Sequence, residues 1–170
     1  MAFKGIGLVA FIDVLGFSAR VEETWDLENS ALDQLLALKQ QLLTFQYPTV
    51  VMEMSGGQPR TPSRPPEIST VSDSIVLKHA FNNGVTNVEL EQAFATMCSA
   101  INIIREFAMY ATFPLRGSFE LGPIYWDDDE IIGPAFNAAY VLESKVAKTA
   151  RIIMGPGLLE WLAEHPPADG

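Results

Sequence analysis

From residue 5 the chain is apolar at almost every position, and GIGLVAFI runs unbroken into Asp13 before VLGFS turns at Gly16. A run with so little alternation predicts a central strand over residues 5–13, covered on both faces, that ends where a carboxylate reaches a rim. Between Leu27 and Phe45, Ala31, Leu32, Leu35, Leu36, Leu38, Leu42 and Leu43 fall at helical spacing, with Asp26 as N-cap and Tyr47 and Pro48 as the stop. TVVMEM, residues 49–54, reads as a strand, and the prolines and glycines of residues 55–67 predict a flexible loop. EISTVSDSIVLK (67–78) reads as one strand or a tight hairpin bent at Ser72 and Asp73.

A long amphipathic helix is predicted from Val88 to Ala111, with Phe94, Met97, Ile101, Ile104 and Met109 as its core face. LRGSFELGPIYW (115–126) reads as a hairpin pair around Gly122 and Pro123, and the acids Asp127 to Glu130 as a solvated turn. Gly133 and Pro134 open a helix to about Val146, ARIIM (150–154) is a last strand, and LLEWLAE (158–164) a last helix. This order predicts one α+β domain over residues 1–170, a ferredoxin-like sandwich in which helices pack over an antiparallel-rich sheet.

Composition narrows the chemistry. With 170 residues and 48% hydrophobic positions the chain can bury a core without crosslinks, and its single cysteine, Cys98, sits at a helix packing position. A formal charge of −10 with scattered cations lacks the basic footprint of nucleic-acid binding. No run is long enough to span a membrane, and MAFKGIGLVAFID has no signal-peptide cleavage pattern, so the expected location is cytoplasmic. An acidic chain that binds a polyphosphate needs divalent metal and a few placed cations. His79 and His165 have no metal-ligand spacing and read as surface or terminal residues.

Three segments carry candidate chemistry: FIDVLGFS, TVSDS around Asp73, and LRGSFELG followed by IIGPAFNAAYVLE. Singly, Asp13 reads as a helix cap, Asp73 as a turn residue, Arg116 as a surface cation and Asn137 as a helix start. In this order and approximate spacing, over residues 5 to 155, they resemble the class III nucleotidyl cyclases. The resemblance implies two divalent ions, Mn²⁺ or Mg²⁺, on Asp13, Asp73 and the carbonyl of Val14, a donor set of hard oxygens. It further implies that the amides of Gly16, Phe17 and Ser18 cradle a triphosphate, that Arg116 holds a β-phosphate oxygen and that Asn137 orients the ribose. Because the family takes its acids and its asparagine from different protomers, a head-to-tail homodimer with composite sites is expected.

The sequence departs from the pattern at several points. The family's transition-state arginine, four residues after the asparagine, is Val141 here; Lys145, one turn further, is the replacement candidate, and Lys148 and Arg151 follow. The family's C-terminal lysine hairpin has no counterpart before Gly170. The base-selecting positions hold Ser69 and Glu130, which is neither the adenine nor the guanine combination. The combination more closely resembles the short bacterial pyrimidine cyclases of antiphage signalling, which implies UTP as substrate and 3′,5′-cyclic UMP as a messenger for a separate effector. Glu130 would accept the N3 proton of uracil, and Tyr47, Tyr125 or Trp126 would close a small base pocket. Cyclic CMP from CTP, a purine cyclase, and a nucleotide-binding domain without turnover are the alternatives.

Overall fold

The computed structural model describes residues 2–44, 64–82 and 84–166. The expected strand at 49–54, Tyr47, Pro48 and most of the loop at 55–67 lie outside the described residues.

The apolar N-terminal run forms β1 (Phe3–Val14), and it is central, as a strand with two apolar faces must be. It pairs antiparallel with β3 (Ser74–Ala80) on one side and with β4 (Leu115–Trp126) on the other. Beyond β3 lies β2 (Glu67–Val71), and the far edge of β4 carries two short strands: antiparallel β5 (Ile131–Ile132) near one end and parallel β6 (Ile152–Met154) near the other.

Helices cover both faces. Leu8, Ala10, Ile12 and Val14 join a core with α2 (Ala31–Thr44), α3 (Asn87–Tyr110) and Leu158 of α5 (Pro156–Glu164). Val9 and Phe11 point the other way, into a smaller core with Ala135 and Ala139 of α4 (Pro134–Lys145). The predicted α+β architecture, an antiparallel-rich sheet under helices, is therefore present, with α4 the one helix on the second face among the described residues.

Several local expectations are corrected. The helix expected from Leu27 begins at Ala31, as α2; a separate helix, α1 (Phe17–Thr24), precedes it, and Asp26 does not cap α2. Ser30 does: its Oγ accepts from the Asp33 amide at 3.2 Å while Asp33 Oδ2 accepts from the Ser30 amide at 2.9 Å, a reciprocal box that satisfies two orphan donors. LRGSFELGPIYW is one twelve-residue strand rather than a hairpin pair. Pro123 is tolerated because its register partner Ile6 turns its carbonyl toward Phe81 of the β3 side, so the missing N–H faces the stretch of β4 between β6 and β5. Met109, expected in the core, is 73% exposed in the last turn of α3. His79 is half-buried and packs on Phe81. Among the described residues no helix is long and apolar enough to cross a membrane.

Candidate active site

The end of β1, the β2–β3 bend, β4 and α4 together assemble a charged cluster. Cross-strand register sets Asp13 opposite Arg116, so the two side chains share a face of the sheet. Arg116 donates from Nε at 3.3 Å and from Nη2 at 3.1 Å to Asp13 Oδ2, and Ser74 Oγ donates to Oδ1 at 3.1 Å. Arg116 is also held by Glu143 of α4, whose side chain is 2% exposed; its Oε1 touches the same Nε as an ion pair without hydrogen-bond alignment.

Asp73 follows Ser72, whose φ of 51° makes the tight bend between β2 and β3. Its charge reaches Asp13: burial first, then Asp73, raises the Asp13 carboxyl above its ordinary value, against the hydrogen bonds from Arg116 and Ser74. Glu143 is raised too, by burial and then by Asp13, with Arg116 opposing. Lys39 of α2 donates its Nζ to the Ser72 carbonyl; burial lowers its pKa and Asp73 opposes that. Three carboxylates and two cations thus meet at one rim.

Beside Asp13, Gly16 has φ 75° and serves as N-cap of α1 without any side-chain cap bond. Phe17 is anchored edge-on against Phe113 at 6.0 Å, and Ser18 is exposed. Among the described residues no side chain caps the first amides of this helix, at the sheet rim.

A second feature lies against β2 on the α4 side. A groove of about 570 Å³ is lined by Ser69 and its neighbours, by the turn Asp127 to Glu130, and by Phe136. The structure thus gathers Ser69 and Glu130, distant in sequence, onto one cavity. Neither Tyr125 nor Trp126 walls it: Tyr125 donates its hydroxyl to Asp127 Oδ2 at 2.5 Å, and Trp126 is buried with its indole N–H on Glu67. Phe136 is the aromatic wall instead. Asp127 is also more than a solvated acid, since Oδ1 accepts the amides of Asp129 and Glu130 and shapes the turn.

Asn137 and Lys145 do not join the acids. Both are exposed on α4, with Val141 between them, and neither bonds to Asp13 or Asp73 among the described residues. Arg151 donates to the Val146 carbonyl past the end of α4.

Several residues of these sites escaped the sequence reading: Ser74, Glu143, Lys39 and Lys78. Glu143 had a signal, since it continues the four-residue spacing of Ala135 and Ala139 on the buried face of α4. Lys78 breaks an apolar strand in the same way that Asp13 does. Lys39 had none, because only the fold brings α2 to the bend.

The donor chemistry fits divalent cations of the Mg²⁺ or Mn²⁺ type. Asp13 and Asp73 offer hard oxygens, and a cation would relieve the repulsion from Asp73 that, after burial, raises Asp13. Among the described residues no group of three His, Cys, Asp or Glu side chains is arranged to hold a metal ion.

No protein-family model matches the sequence, and no curated protein matches it. Among solved structures, the chain is similar to the adenylyl cyclase CyaB from P. aeruginosa, with a TM-score of 0.55 and 15% identity over 97% of this chain and 84% of that one. It is also similar to the catalytic core of a rhodopsin-guanylyl cyclase with converted specificity in complex with ATPαS, with a TM-score of 0.51 and 16% identity over 95% and 83%. The fold is that of these nucleotidyl cyclase catalytic cores.

Proposed function

We propose that the chain is a nucleotidyl cyclase that converts UTP to 3′,5′-cyclic UMP and pyrophosphate. The observation that carries this reading is the placement of Asp13 and Asp73, sixty residues apart, at one rim of a cyclase-type sheet, near enough for one to raise the other's pKa. Asp13, Asp73 and the Val14 carbonyl would hold two divalent cations, which when bound activate the ribose 3′-hydroxyl and stabilise the departing pyrophosphate.

The residues of the chain have separate tasks in this reading. The amides of Gly16, Phe17 and Ser18, at the positive end of α1, take the phosphates. Ser74 and Arg116 hold the Asp13 carboxylate in one orientation, and the Nη1 of Arg116, without a bond among the described residues, is left for a phosphate oxygen. The groove at Ser69 and Glu130 takes the base. Asn137, exposed on α4, orients the ribose from the partner of a head-to-tail homodimer, with Lys145 on the same helix supplying charge near the reacting phosphate. In the setting of the short pyrimidine cyclases the product would act on a separate effector in antiphage defence.

A second reading, nucleotide binding without turnover, is favoured by one observation. Val141 is 49% exposed where a cation is wanted, and Arg116 is already engaged by two acids. Incubating the protein with Mn²⁺ and each of the four nucleoside triphosphates, with mass detection of cyclic product, separates the readings. Cyclic UMP as main product is expected; cyclic CMP or a purine product changes the base, and no product from any of them selects binding alone. Asp73→Ala is expected to lower turnover by about a thousandfold or more, the scale of losing a transition-state charge contact.

A further inference from the structure

A buried lysine that does not line the groove bonds to a residue that does. Lys78 of β3 is only 3% exposed; its Nζ stands 5.5 Å from the Trp126 ring centroid and donates to Ser69 Oγ at 2.8 Å. Burial lowers its pKa, while Glu67, Asp128 and Asp127 favour its charged form. An ammonium has three donors and no acceptor, so Ser69 must be the acceptor in that bond, and its own hydroxyl hydrogen is left for another partner. Ser69 lines the groove. Across from it, Asp127 spends its oxygens on Tyr125 and two backbone amides, whereas the Glu130 side chain is exposed. One wall therefore offers a donor and the other an acceptor.

We propose that Lys78 is the positioning residue that sets base selection: it makes Ser69 a donor to a base carbonyl while Glu130 accepts the adjacent ring N–H. The groove then selects an imide edge, C=O beside N–H, which uracil and guanine carry. Cytosine and adenine present the reverse order, an exocyclic amine beside a ring nitrogen acceptor. This inference rests on the nucleotide reading of the site given above, and it places the discriminating charge on β3, one strand away from the groove wall.

The test uses the full chain with Mn²⁺ and compares wild type, Ser69→Ala, Lys78→Met and Lys78→Arg. Turnover of UTP, GTP, CTP and ATP is measured, together with binding of their α,β-methylene analogues by equilibrium dialysis. Wild type is expected to prefer UTP and GTP, with their ratio telling uracil from guanine. Ser69→Ala and Lys78→Met should each erode the imide preference by about tenfold to a hundredfold, the range for losing a charge-assisted hydrogen bond, in KM more than in kcat. Lys78→Arg should restore part of it. Should Lys78→Met fail to fold, Ser69→Ala carries the comparison, since it removes one hydroxyl. An unchanged base preference in these variants, or no imide preference in wild type, overturns the assignment. A wild type that binds the uridine or guanosine analogue selectively yet forms no cyclic product overturns the cyclase reading, and erosion of that binding preference in Lys78→Met or Ser69→Ala then supports the role of Lys78.

Discussion

Asp13 ends the most apolar stretch of the chain and is held by three neighbours from three elements: Ser74, Arg116 and, through the arginine, Glu143. The arginine lowers the pKa of both acids, while burial raises them from ordinary values of 3.8 and 4.5. A carboxyl whose folded pKa lies above its unfolded one binds protons more tightly when folded. Its penalty is therefore complete above the folded pKa and fades as pH falls through that value toward the unfolded one. Removing the arginine strengthens the penalty. Arg116→Met is expected to lower stability by about 3 kcal/mol at neutral pH, as for a buried pair left uncompensated. The loss should shrink as pH falls and Asp13 and Glu143 take up protons. Urea unfolding at neutral and at acidic pH checks this; a loss that grows on acidification would contradict the network.

At the scale of elements, the site depends on β1 and β4 staying in close register, and Gly117 shows how close they are. A Cβ there would overlap the Phe11 carbonyl oxygen and lie 3.2 Å from Ile12 Cα, both backbone atoms of a central strand that cannot give way. Gly117→Ala is expected to destabilise by about 3 kcal/mol or more through this overlap. Gly16 gives the contrast, since a Cβ there meets nothing within 4 Å and only the φ of 75° opposes it. Gly16→Ala should lose about 1 kcal/mol. Thermal unfolding of the two variants side by side tests the distinction between overlap and backbone strain. Hydrophobic spacing does not show α1, because FSARVEET contributes no buried residue and so carries no apolar stripe to detect. Its helix follows from the turn at Gly16 and from packing of Phe17 on Phe113.

For the whole molecule, the separation of Asn137 from the acids bears on assembly. If each site takes its acids from one protomer and its asparagine from the other, Asp73→Ala and Asn137→Ala should each be inactive alone. Mixed after dissociation and reassociation, they should regain roughly a quarter of wild-type turnover, because half of the random dimers carry one intact site of two. No recovery on mixing, with mixed dimers shown to form, would place each site within one chain.

What the sequence determined by itself was whatever local pattern encodes: a central strand from its unbroken apolar run, the bend at Ser72 and Asp73, the long helix before β4, and the acids on which the site is built. Motif order was enough to point from Asp13, Asp73, Arg116 and Asn137 to a cyclase-type fold. Tertiary structure decided the rest, because it depends on register and on which faces meet. Only the pairing of β1 with β4 sets Asp13 against Arg116, and only α4 crossing the second face brings Glu143 to them. Only β3 beside β2 puts the Lys78 ammonium on Ser69, a contact between residues nine positions apart that no periodicity announces. Charges act through space over a few ångströms, whereas a sequence records distance along the chain.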